Sequence, residues 1–244
     1  MRALGAIMKR EFSSYFATPI AYVFVVIFAA LAGVFTFQLG KFYERGMADL
    51  APFFQYLPWL FLVLVPAISM RLWAEERRSG TIELLMTLPV TTSAAVIGKW
   101  LAGWLFVGLA LMATMTLWIT VNWLGDPDNG VIAVSYFGAW AMAGTFLAMG
   151  AALSALTRNQ VIAFILAALA IFVVMTAGTP VVLDAARAVL PAAAVDAIAA
   201  LSALTHFGSV SRGVLELPSL LYWLTMTAFW LFVNVVVVNM KKAD

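Results

Sequence analysis

Six long apolar runs constrain this chain more than any other feature of its sequence. They cover residues 19–39, 53–72, 94–124, 132–156, 159–179 and 218–240. Each run reaches the roughly 20 residues that a helix needs to cross the hydrocarbon core of a bilayer. Because lipid cannot pair with backbone polar groups, such runs must form helices, whereas a membrane β-barrel would alternate polar and apolar residues. We predict an all-α polytopic membrane protein with six transmembrane helices.

The composition supports a membrane environment and excludes several kinds of function. Hydrophobic residues make up 64% of the 244 positions and charged residues 11%, whereas soluble domains carry about 25% charged residues. The net charge of +2 is small and no basic block is interleaved with aromatic residues, so nucleic acid is not an expected partner. Because the chain has no cysteine and only one histidine, His206, we expect no disulfide, no metal site and no catalytic residue.

The distribution of Lys and Arg predicts the orientation of the chain. With six spans and a cytoplasmic N-terminus, ten basic residues fall in inside segments, Lys99 among them, and four fall in outside segments. Cytoplasmic segments of membrane proteins are enriched in basic residues, so we expect both termini in the cytoplasm. Residues 19–244 are then a single six-helix transmembrane domain.

Residues 1–18 are predicted to form a cytoplasmic interfacial helix before the first span. Apolar side chains recur there at helical spacing, while Arg2, Lys9 and Arg10 provide a polar face, a pattern typical of helices that lie on a membrane surface. An ordinary polar leader is the alternative. The run 19–39 is longer than the apolar core of a signal peptide, so we predict that it is retained as the first span.

The segment 181–217 allows two interpretations. It carries scattered charges, and apolar residues recur at helical spacing on either side of Pro191. A seventh span would place Asp196 near the bilayer centre, at a cost of about 3 kcal/mol, and would move Lys241 and Lys242 outside. We therefore favour two short re-entrant helices that dip into the outer leaflet before the last span.

The spans contain no evident energy source. Their interiors are expected to hold no Asp, Glu, Lys, Arg or His, the groups on which ion-coupled transporters depend. A phosphate-binding loop is also absent, because Gly98-Lys99 is followed by Trp100 and lacks the upstream glycine of that motif. An external source of energy is therefore needed, and uncharged spans favour an apolar or amphipathic cargo, or mechanical work on a partner.

The densest charge cluster, residues 74–92, connects the second and third apolar runs. Gly80 is predicted to end the helix that continues from the second span, and Pro89 to end a short helix with an apolar face. A residue at 91–93 can cap the third span. Such a segment can dock on a protein in the water phase, although a solvated loop that only enforces topology is the alternative.

This connector resembles the signature of the type-2 ABC exporter permeases. In that family a Glu-rich segment is followed by Gly-Thr-x-Glu-Leu-Leu and then by a proline before the third span, and Glu75 to Pro89 follow this pattern. The segment from His206 to Glu216 is more narrowly similar to the gliding-motility-type permease subfamily. The resemblance covers the leading helix, the six spans and the split segment before the last span.

The resemblance implies a set of partners. It implies a permease subunit of an exporter in a bacterial cytoplasmic (inner) membrane, driven by a separate cytoplasmic ABC ATPase subunit that carries ATP and Mg²⁺, with no cofactor on this chain. It also implies a permease homodimer that forms the translocation path and, in the subfamily, a membrane-anchored periplasmic-type accessory protein. A non-transporting scaffold or mechanotransmission subunit remains an alternative. An intramembrane enzyme is less favoured, because the spans offer no base beside a nucleophile.

The resemblance also implies two groups of functional residues. The residues of the ATPase-coupling segment, which contact the ATPase or support the contact, are Glu75, Glu76, Arg77, Arg78, Gly80, Thr81, Glu83, Leu85 and Pro89. The residues of an extracytoplasmic gate are His206, Phe207, Arg212, Gly213 and Glu216.

Overall fold

The computed structural model describes residues 2–17, 19–81 and 90–241, and within those ranges the regular structure is entirely helical. The first half contains α1 (Arg2–Phe16), α2 (Pro19–Val34) with a π-helical continuation (Phe35–Leu39), α3 (Phe42–Arg45), α4 (Ala51–Ser69) and α5 (Arg71–Ser79). The second half contains α6 (Thr92–Ala113), α7 (Met115–Leu124), α8 (Asn129–Ser154), α9 (Gln160–Thr176), α10 (Pro180–Arg187), α11 (Ala192–Ala200), α12 (Ala203–Val210) and α13 (Leu217–Met240).

Five helical stretches in the described residues are long and apolar enough to cross a membrane. They are Ala21–Leu39, Ala51–Ser79, Thr92–Leu124, Asn129–Ser154 and Leu217–Met240. Two bent pairs raise the number to as many as seven, because α9 and α10 meet at 77° and α11 and α12 at 58°. The fifth predicted run, 159–179, covers α9, the first helix of one bent pair. The predicted segment 181–217 covers nearly all of α10 and the whole of α11 and α12. The count of six spans remains a prediction.

Helix α8 lies at the centre of the bundle, in contact with α4, α6, α9 and α13. Its small residues allow this close approach, as is common between membrane helices. A Cβ atom at Gly150 would lie 2.1 Å from the hydroxyl oxygen of Ser69 on α4, and one at Gly144 would lie 2.7 Å from the indole nitrogen of Trp104 on α6. The core of the molecule therefore forms around α8.

The helix boundaries follow local capping signals. Gly80 ends α5 in the left-handed conformation, with φ of 73°, and the Thr91 hydroxyl accepts a hydrogen bond from the amide of Ala94 at the start of α6. Both boundaries confirm the prediction. The Asp128 carboxylate caps α8 by accepting from the amides of Gly130 and Val131 at 2.9 and 3.1 Å.

Candidate functional site: the charged connector and its anchors

The connector begins with α5, which continues α4 after a break at Met70. The buried hydroxyl of Ser154, the last residue of α8, bridges this break. It donates to the Met70 carbonyl oxygen at 2.9 Å and accepts from the amides of Ala74 and Trp73 at 3.1 and 3.3 Å. The first amides of a helix lack partners within the helix, so an acceptor from α8 stabilises the start of α5 and fixes its direction.

A second attachment joins α5 to the same end of α8. The guanidinium of Arg77 donates from Nη1 to the carbonyl oxygen of Ala155 at 2.5 Å. The last carbonyls of a helix are also unpaired within it and carry partial negative charge, which a guanidinium stabilises. Ser154 and Arg77 together fasten α5 across the C-terminal end of α8.

A buried ion-pair network connects α5 to two further helices. The Lys99 side chain on α6 is 2% exposed, and its Nζ lies 2.7 Å from Glu76 Oε1 on α5 and 3.2 Å from Glu11 Oε1 on α1. The same Nζ lies 5.4 Å from the centroid of the Trp73 ring, within cation–π range. Arg10 Nη2 completes the network at 2.6 Å from Glu11 Oε1.

The charge environment of Glu11 follows from this network. Burial alone would raise the pKa of its carboxyl group, but the Lys99 ammonium and the Arg10 guanidinium act in the opposite direction. The net result is a pKa below the ordinary glutamate value. The ionised carboxylate is therefore the form that the folded protein favours.

The opposite face of α5 is open to solvent. Glu75 and Arg78 form only a loose ion pair at 3.8 Å, with side chains 38% and 69% exposed. Gly80 and Thr81 are exposed at the tip, where the Thr81 hydroxyl lies 3.0 Å from the Ser79 hydroxyl. The helix thus has an anchored face and a free polar face, and only the free face can meet another protein.

The structure divides the predicted coupling residues between these two faces. Glu76 and Arg77 lie on the anchored face, and the others that are described lie on the free face or tip, namely Glu75, Arg78, Gly80 and Thr81. The remaining three, Glu83, Leu85 and Pro89, lie outside the described residues. The coupling role of all nine stays a prediction.

The first two predicted gate residues lie on α12. The His206 ring stacks on Tyr222 of α13 at 4.1 Å, and its two nitrogens are within hydrogen-bond distance of the Ser219 hydroxyl and the Ala200 carbonyl oxygen, at 3.3 and 3.0 Å. Phe207 is buried and approaches Gly138 of α8. These residues hold α12 against the bundle.

The other three predicted gate residues lie in the link from α12 to α13. Arg212 is exposed and lines a cavity of about 310 Å³ together with Asp49 and Asp128. Gly213 has φ of 84° and approaches Val131, and Glu216 is the exposed residue just before α13. The structure therefore places His206 and Phe207 in packing contacts and Arg212 at the cavity, with Gly213 and Glu216 elsewhere in the link, and the gate itself stays a prediction.

The structure places Lys99 among other helices and not in solvent. This residue lies within the predicted run 94–124, two turns into α6, and its side chain is buried between α1, α5 and α6. The sequence alone indicates Lys99 only as a topological charge, and no pattern in it singles out Glu11 or Ser154. A lysine inside an apolar run is itself a signal of a functional site, but no neighbour on its own helix indicates the partners, because those come from α1 and α5.

These features define a polytopic α-helical membrane protein with a polar helix fixed across one end of its bundle. The profile of the family described as ABC-2 family transporter protein matches residues 5–238. The chain belongs to this family and is a membrane permease subunit of an ABC transporter, a class that acts with a separate ABC ATPase and is not itself the ATPase. No curated protein matches the chain.

Proposed function

We propose that this chain forms the translocation path of an exporter as a homodimer, and that a cytoplasmic ATPase carrying ATP and Mg²⁺ drives it through α5 and the segment that follows. The observation that carries the proposal is the two-faced character of α5. Its free face presents Glu75 and Arg78 to solvent, while Ser154 and Arg77 hold it to the central helix. A partner that displaces α5 from its exposed face would therefore also displace α8, through these hydrogen bonds.

The location of basic residues supports a cytoplasmic position for α5. Arg10, Arg77 and Lys99 are brought to one end of the bundle by the network around Lys99 and the end of α8. The C-terminal end of α13 lies at the same end, because Thr92 donates to the Asn239 side-chain oxygen at 2.8 Å. The positive-inside rule assigns such an end to the cytoplasm, with both termini, and we propose the bacterial inner membrane as its site.

Apolar grooves support an apolar or amphipathic cargo. One groove of about 250 Å³ lies between α6, α8 and α13 and is bordered by Trp100, Trp104 and Trp223. A second, of about 460 Å³, follows α6 and is bordered by Met112 and Trp140 among others. Among the residues that the structure describes, neither lining includes a charged side chain, so a small ion would find no counter-charge there, whereas acyl chains or rings would fit. The periplasmic-type accessory protein rests on the subfamily resemblance alone.

Co-purification with the cognate ATPase tests the docking surface. Reversing both free-face charges, Glu75→Lys with Arg78→Glu, should reduce the ATPase recovered with the chain and its ATP hydrolysis in proteoliposomes. The matched control reverses the exposed pair Lys41 and Glu44, which is 3.0 Å apart and distant from α5 in the chain. Equal recovery of the ATPase from both variants would refute docking on this face.

The absence of cysteine permits a direct test of sidedness. Single cysteines at Ser79 and Glu44, both exposed, should react with a membrane-impermeant maleimide from opposite sides of the membrane, Ser79→Cys from the cytoplasm. Reaction of Ser79→Cys from outside in intact cells would overturn the orientation and with it the coupling proposal.

A further inference from the structure

Lys99 is an ionisable side chain buried inside an otherwise uncharged helix. It is the only charged residue of α6, and its side chain is 2% exposed. Burying an ammonium group costs several kcal/mol unless opposite charges and hydrogen bonds compensate. Since α6 offers no acidic residue, the compensation comes entirely from other helices, and the charge is an obligatory link between them.

The two compensating carboxylates come from different helices and meet at one atom. Glu11 of α1 and Glu76 of α5 both reach Lys99 Nζ through Oε1, and their side chains are only 15% and 19% exposed. Without the ammonium group, two partly buried negative charges would face each other across a short gap and repel. The position of α5 relative to α1 therefore depends on the charge contributed by α6.

Helices α1 and α6 are packed so closely that they form one unit. A Cβ atom at Gly98 would lie 2.9 Å from Ile7 Cγ2, and the rings of Tyr15 and Phe106 stack with centroids 4.8 Å apart at an angle of 7°. A displacement received at Lys99 would consequently move α1 and α6 together.

The attachments of α5 thus fall into two kinds. Ser154 and Ala155 connect it to α8 through hydrogen bonds to backbone groups, whereas Lys99 connects it to the unit of α1 and α6 through a charge-assisted hydrogen bond between side chains, 2.7 Å long. A hydrogen bond between an ammonium group and a carboxylate is shorter and stronger than one between neutral groups. The Lys99 contact is therefore a firm second attachment, and it joins α5 to a different part of the bundle from the α8 contacts.

We propose that Lys99 is a positioning residue that transmits displacement of α5, through Glu76 and Glu11, to the unit formed by α1 and α6. The inference deepens the proposed function and rests on it, since it assumes that an ATPase displaces α5. It differs from a purely structural role, in which Lys99 would stabilise the fold but carry no nucleotide-dependent movement.

Distance measurements in the assembled transporter test this inference. Spin labels at Ala6→Cys on α1 and Arg158→Cys beyond α8, both exposed positions, report movement of α1 relative to the central helix by pulsed electron resonance. In the complex with wild-type Lys99, adding ATP with a hydrolysis inhibitor should shift this distance. Lys99→Met should abolish the shift while the ATPase stays bound, because the free face of α5 is unchanged.

A second variant, in which the charges of Lys99, Glu11 and Glu76 are all removed, keeps the test valid if Lys99→Met does not fold. The triple variant Lys99→Met, Glu11→Gln, Glu76→Gln leaves no unpaired buried charge and should also lose the shift, whereas Lys99→Arg, which retains the charge, should keep it. A full shift in a folded variant without the Lys99 charge, with ATPase bound, would overturn the inference alone. Absence of any bound ATPase from the wild-type chain would instead refute the proposed function on which it rests.

Discussion

Removing the Ser154 hydroxyl should loosen the connector from the central helix. In Ser154→Ala, the amides of Trp73 and Ala74 lose the hydroxyl oxygen to which they donate, and the Met70 carbonyl oxygen loses a donor. A buried backbone group left without a partner costs about 1–3 kcal/mol. Because a single hydroxyl makes all three hydrogen bonds, we expect the total loss to lie within that range, at about 2 kcal/mol.

The change should be local and measurable by hydrogen exchange in detergent or nanodiscs. A loss of about 2 kcal/mol corresponds to roughly a 30-fold rise in the opening equilibrium, so the amides of Trp73 and Ala74 should exchange faster by about that factor. The matched control is Ser135→Ala, since Ser135 is equally buried on α8 but donates to the Val131 carbonyl oxygen of its own helix. Unchanged protection of α5 in Ser154→Ala, or an equal effect in both variants, would refute the reasoning.

Three further substitutions or conditions should change stability in defined directions. Gly150→Ala should destabilise the fold by about 1–3 kcal/mol, because its Cβ would lie 2.1 Å from the Ser69 hydroxyl oxygen. Gly208→Ala is the control, since the space around its Cβ is open, and it should not destabilise the fold. Thermal unfolding of the two variants measures the difference. Gly80→Ala should cost about 1 kcal/mol from its positive φ, again measured against Gly208→Ala. Stability should fall as the pH drops through the lowered pKa of Glu11. The ionised carboxylate contributes its full stabilisation only above the ordinary glutamate pKa of about 4.3, which the unfolded chain has. Glu11→Gln should flatten that part of the pH profile of stability.

Signals confined to a few neighbouring residues allowed much of the fold to be predicted. Runs of apolar residues identify membrane helices because lipid leaves the backbone no other way to pair. Gly80 and Thr91 marked helix ends correctly, since left-handed backbone and N-terminal capping depend on a residue and its next few neighbours. The connector motif likewise lies within one short segment and agrees with the family to which the chain belongs.

Features that join distant parts of the chain became visible only in the packed bundle. Ser154 and Met70 are 84 residues apart in the chain, and Lys99 and Glu76 are 23 residues apart. Lys99 also pairs with Glu11, which lies on α1 near the start of the chain. Hydropathy gives Lys99 a place along the chain but does not show which side chains surround it, so the sequence predicts its charge but not its partners. Whether a buried charge is compensated depends on how helices pack around it, because the partners of an ion pair need to be close in space and not in sequence.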